Sequence, residues 1–161
     1  MSLPRPVVEN RAYMVTRRCA QRRFYLRPCK EVDQAFLYCL AVAVKRYGVE
    51  VYWLSVLSNH YHLGIRDVHG NYPEFAQFFH SLVARCLNAL LSRWENFWSA
   101  EQCGVLHLGD AESIIDKMIY WQGLKAEVCS DGQSNPRSQT KCHTEVVRAR
   151  AQRCCAWIRI G

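Results

Sequence analysis

The sequence predicts an α+β fold in which an antiparallel sheet carries helices on one face. Three observations point there. Short runs rich in β-branched and aromatic residues alternate with longer segments of helical spacing. The two central β-runs, Val49–Leu57 and His60–Asp67, are separated only by Ser58-Asn59, the length of a hairpin turn. The chain has 161 residues, 50% of them hydrophobic, which suits one compact core.

Taken in order, Met1–Asn10 contains Pro4 and Pro6 and reads as an irregular lead-in. Arg11–Thr16 is a first strand. Glu31–Tyr47 places Val32, Phe36, Leu37, Leu40, Val44 and Tyr47 on one helical face, and Gly48 is a natural stop. The strand pair 49–57 and 60–67 follows, then turn material from Val68 to Pro73. Glu74–Trp94 is a second helix with Phe75, Phe78, Phe79, Leu82, Cys86, Leu90 and Leu91 on its apolar face; His80 and Arg85 are expected off that face. The aromatic run Trp94-Glu95-Asn96-Phe97-Trp98 reads as core material, with base stacking as the lesser alternative. Val105–Leu108 suits an edge strand. Asp110 is the expected N-cap of a third helix, Ala111 to about Trp121, which buries Ile114, Ile115, Met118 and Ile119 and leaves Tyr120 projecting. Strand, helix, strand, strand, helix, strand, helix is the order of a ferredoxin-like sandwich with one further C-terminal helix.

Charge and cysteine usage narrow the class. The formal charge is +7, and the basic excess sits at the two ends of the chain. Four arginines, Arg17, Arg18, Arg22 and Arg23, surround a loop that closes on Phe24 and Tyr25. Guanidinium groups clamp phosphates while aromatic rings stack on unpaired bases, so a nucleic-acid partner is expected. The nine cysteines, an odd number, show no Cys-x-x-Cys and no regular spacing, and the N-terminus reads without an apolar signal segment, so a reducing, cytoplasmic setting is expected. The longest apolar run, Ala35–Val44, falls far short of the ~20 residues of a membrane span.

The segment that organises the rest is Ser58-Asn59-His60-Tyr61-His62. On a strand, side chains alternate, so His60 and His62 share a face and Tyr61 takes the other. Neighbouring imidazoles can hold a divalent metal, although an arbitrary His-x-His is more often a packed pair. A tyrosine on the last helix adds a nucleophile, useful where a cation polarises the phosphate it attacks.

From Tyr13 to Tyr120 the chain resembles the HUH single-tyrosine transposases, in particular the REP-associated tyrosine transposase branch. The stretches that carry the resemblance are Tyr13–Arg18, Ser58–His62, Arg93–Trp98 and Asp116–Tyr120. The resemblance implies a ferredoxin-like domain that cuts and joins single-stranded DNA beside hairpins, as a monomer or homodimer. It implies Mg2+ or Mn2+ held by His60 and His62, with Tyr120 forming a 5′-phosphotyrosine intermediate. Arg17, Arg18, Arg22, Arg23 and Tyr25 become candidates for DNA contact. One helical turn beyond the tyrosine the family carries an amide, whereas this chain has Leu124; Gln122 is the nearest amide and a weak third ligand. Residues 1–121 thus form the expected catalytic domain. Residues 122–161 are an atypical basic tail without the family's Asn-Pro-Val ending, in the manner of a frameshifted or disordered segment. Within the tail, Cys142-His143 and Cys154-Cys155 match no zinc spacing, and Glu145–Trp157 has a basic helical pattern. Two alternatives remain: a hairpin-binding remnant with an impaired site, and a metal hydrolase that uses the histidines without Tyr120.

Overall fold

A computed structural model describes residues 7–109 and 111–127. The elements run β1 (Arg11–Arg18), a 3-10 turn (Ala20–Arg22), α1 (Lys30–Tyr47), β2 (Glu50–Val56), β3 (His60–Asp67), α2 (Tyr72–Leu90), β4 (Gly104–Leu108) and α3 (Ala111–Glu127). The expected cap Asp110 and every expectation for the tail beyond 127 lie outside the described residues.

The four strands form one antiparallel sheet in the order β2-β3-β1-β4. β3 is therefore central, flanked by its hairpin partner β2 and by β1. β1 runs two residues further than its composition suggests. It pairs along the whole of β3, from Arg11 opposite Asp67 to Arg18 opposite His60.

Strand alternation sorts the sheet into two faces. Tyr13, Val15, Tyr61, Leu63 and Ile65 point into a core shared with Phe36 and Leu40 of α1 and Phe75, Phe79 and Val83 of α2. Rings interlock at its centre: Phe36 and Phe79 both meet Tyr61 edge-on, at 5.5 and 5.7 Å between centroids. α1 stops where Gly48 adopts φ 66°, a left-handed C-cap that glycine takes without steric cost.

α2 differs from expectation at both ends. It begins at Tyr72 because the Asp67 carboxylate accepts hydrogen bonds from the backbone N–H groups of Asn71 (2.9 Å) and Tyr72 (2.8 Å). Pro73 sits in the first turn, where no N–H is needed. At the other end the chain leaves the helix after Leu90: Ser92 is left-handed (φ 51°) and the Asn88 side chain donates to the Glu95 carbonyl at 2.7 Å. Leu90 and Leu91, expected on the apolar face, are exposed as a result (44% and 37%).

Asp67 is fully buried and bonded through both carboxylate oxygens. Removing it strands the helix N–H groups and forfeits a charge–dipole attraction. Asp67→Ala is therefore expected to lower unfolding free energy by about 2–4 kcal/mol, measured by urea denaturation. A loss below about 0.5 kcal/mol would show that the cap is dispensable.

Two further expectations are corrected. His80 is only 3% exposed. It belongs to a stripe with Ala76, Val83 and Leu87 at helical spacing, all of them buried. On α3, Ile115 and Ile119 are 54% and 62% exposed, since the helix meets the sheet mainly at the edge strand β4. Among the described residues, no helix is long and apolar enough to cross a membrane.

Candidate active site

The face of the sheet opposite α1 and α2 carries His60 and His62, with ring centroids 5.0 Å apart and planes nearly perpendicular. Each ring is held through Nδ1. His60 Nδ1 lies 2.6 Å from Asn59 Oδ1. A carboxamide oxygen only accepts, so Nδ1 carries the proton and Nε2 carries the lone pair. His62 Nδ1 lies 2.9 Å from the hydroxyl of Thr16, its partner on β1. Metal-binding histidines are commonly oriented this way, through the nitrogen that does not bind.

The surroundings favour neutral imidazole. Burial, and secondarily the positive charge of Arg18 opposite it on β1, push the His60 pKa below its ordinary value. On the far side of His62, register-paired Ser55 is 3% exposed, and its Oγ has no hydrogen-bond partner among the described residues. Two imidazoles on one face are a donor set that a divalent cation could use. Among the described residues, no cluster of three or more His, Cys, Asp or Glu could hold a metal.

The expected DNA-contacting arginines divide between the faces. Arg18, Arg22 and Arg23 are exposed. Arg17, opposite Tyr61 in register, turns inward. Its Nη1 lies 2.9 Å from His80 Nδ1 and its guanidinium lies over Trp98. Alternation explains this, since Arg17 falls on the core-facing row of β1 together with Tyr13 and Val15. Tyr25 is half-buried, with the Arg93 guanidinium 3.8 Å from its ring centroid and Phe97 beside it.

The inward contacts of Arg17 define a directed chain. Arginine only donates, so His80 Nδ1 must accept and the His80 proton must sit on Nε2. Nε2 in turn meets the Tyr61 hydroxyl at 2.5 Å, which therefore accepts. His80 is held neutral, its pKa pushed down to about 3 by burial first and by Arg17 second. The residue between the two site histidines is thus tied through its hydroxyl to α2 and β1. Sequence reasoning missed His80, although its place in the Ala76–Val83–Leu87 stripe was a usable signal. It also missed the anchors Asn59, Thr16 and Ser55, whose roles depend on strand register.

Tyr120 is 57% exposed on α3. That helix joins the body at β4, and β1 stands between β4 and the histidine strand. Gln122 and Leu124 lie further along α3, their side chains outside the described residues.

No protein-family model and no curated protein matches the chain. Solved structures do. A REP-associated tyrosine transposase bound to a REP hairpin aligns over 79% of this chain and 73% of its own, with a TM-score of 0.62 and 10% identity. A candidate transposase from Deinococcus radiodurans R1 aligns over 74% of this chain and 96% of its own, with a TM-score of 0.52 and 20% identity. At these identities the likeness is one of fold: a four-stranded antiparallel sheet with three helices.

Proposed function

We propose that this chain is a transposase-type single-strand DNA endonuclease and strand transferase, built on a ferredoxin-like sandwich. The observation that carries the reading is the pair of imidazoles 5.0 Å apart on the sheet face opposite α1 and α2, each fixed through Nδ1, on a fold shared with a transposase bound to a DNA hairpin. His60 and His62 hold the cation, Mg2+ or Mn2+, which when bound supplies Lewis-acid polarisation of the scissile phosphate. Tyr120 is the nucleophile. Its Oη forms a bond to phosphorus as the bond from phosphorus to the 3′ oxygen breaks; the phenol proton goes to solvent and the departing 3′ oxygen takes one up. The product is a 5′-phosphotyrosine ester, which keeps a phosphodiester available for rejoining. Arg18, Arg22 and Arg23 hold the DNA backbone by charge.

A second reading, a DNA-hairpin-binding remnant without cleavage, is favoured by one observation: only two donors of ligating type come together among the described residues. Incubation with a labelled hairpin oligonucleotide and Mn2+, followed by a denaturing gel, separates the two. The enzyme yields a covalent protein–DNA adduct, and Tyr120→Phe reduces it on the order of 10³-fold or more. Hairpin binding with no adduct supports the remnant. Metal-dependent cleavage that survives Tyr120→Phe points instead to a hydrolase working from the histidines alone.

A further inference from the structure

The aromatic run after α2 splits in the fold. Phe97 and Trp98 are buried, whereas Trp94 is 91% exposed. Phe24, in the basic loop after β1, is 57% exposed. Flat rings standing in water are available to stack on a base.

The backbone around both rings is firmly tied. Cys19 N–H donates to the Asn59 carbonyl (2.8 Å), Leu26 N–H to Ser58 (2.9 Å), Ala20 N–H to Phe97 (2.9 Å) and Ser99 N–H to Arg18 (2.9 Å). Three segments are thereby laced together at the end of the sheet where His60 lies. The residues next to the two exposed rings, Tyr25 and Arg93, stack on each other at 3.8 Å, and Glu95 pairs with Arg93 at 3.2 Å. Phe24 and Trp94 are the chain neighbours of the two residues in this cation–π stack. Gln21 and Arg22 are both left-handed (φ 52° and 55°) without being glycine. Such backbone strain persists where the surrounding structure holds it in place, often at ligand-binding loops. Arg22 and Arg23, just before Phe24 in sequence, are exposed.

We propose that Phe24 and Trp94, set on the Tyr25–Arg93 stack, form a platform on which unpaired bases of single-stranded DNA stack next to the His60 end of the sheet. The choice of occupant follows from charge and shape. Exposed arginines meet a polyanion, exposed flat rings meet flat bases, and the combination tracks a single strand rather than a closed duplex. The inference rests on the strand-cleaving reading for the identity of the polyanion, and its test does not depend on cleavage.

The full chain carrying Tyr120→Phe, so that no adduct forms, is titrated into a fluorescein-labelled oligothymidine of about 12 nucleotides. Fluorescence anisotropy is the readout. Adding Trp94→Ala is expected to weaken binding about 10-fold, while Trp94→Phe retains most of the affinity. Against an abasic oligonucleotide of equal charge, Trp94→Ala should change nothing. Unchanged affinity for oligothymidine overturns the platform. So does an equal loss on the abasic strand or on duplex. A Trp94 effect confined to anionic vesicles or to self-association overturns it in favour of a lipid or a second copy of the chain. Retained Trp94-dependent binding in a chain whose Tyr120 forms no adduct would sink the cleavage reading alone.

Discussion

Gly64→Ala is expected to cost about 3 kcal/mol, the upper end for forcing atoms into a packed site. Gly64 lies on the histidine face of β3, opposite Trp53 of β2. A Cβ at Gly64 would sit 2.2 Å from Trp53 Nε1 and 2.6 Å from its Cδ1 and Cε2. Trp53 is 7% exposed and follows an irregularity in β2 pairing between Val51 and Trp53. A methyl group there requires the indole to shift, on the same face as Ser55 and His62. Urea denaturation measures the stability loss. Gly109→Ala is the control, because nothing lies within 4 Å of a Cβ there; it should stay within about 0.5 kcal/mol of wild type. Equal behaviour of the two variants would mean that Trp53 does not rest on Gly64.

Acidification should destabilise the protein through His80. In the folded chain its pKa is pushed down to about 3 by burial and by the neighbouring Arg17, against about 6.5 when unfolded. Below pH 6.5 the unfolded chain takes up a proton that the folded chain refuses. This contribution to stability is therefore complete above pH 6.5 and falls by about 1.4 kcal/mol per unit as the pH drops toward 3. Between pH 7 and pH 5 the expected loss is about 2 kcal/mol. His60, also depressed, acts in the same direction. Unfolding free energies across that window should decline more gently in His80→Gln, which cannot take up the proton, even though that variant begins less stable. A mutant profile as steep as wild type would assign the pH dependence to other groups. Arg17 and the Tyr61 hydroxyl are the partners that face the ring, and burial holds the Tyr61 pKa well above the ordinary phenol value.

Much of this architecture could be read from local pattern. Helical spacing in Glu31–Tyr47 and in Phe75–Cys86, the two-residue turn at Ser58-Asn59 and the left-handed stop at Gly48 all act within a few residues. The shared face of His60 and His62 needs nothing beyond the period of a strand. Other features rest on long-range pairing. Arg17 meets His80 across 63 residues, and Thr16 meets His62 across 46. A composition-based reading counts Arg17 with its solvent-facing neighbours because it cannot see which row of β1 faces the helices. Asp67 stood at a strand end next to turn residues, and only the approach of α2 made it a buried cap.

From its own order of residues, then, the chain determined which segments become strands or helices and that two imidazoles would stand side by side, because dihedral preference and side-chain period are properties of adjacent residues. Tertiary structure alone decided that Arg17 turns to the core, that His80 is buried and holds Tyr61, that Trp94 faces water while Trp98 does not, and that α3 leaves Ile115 and Ile119 uncovered. Those outcomes depend on which surfaces meet when the sheet closes on its helices, and burial is settled by the partner as much as by the residue.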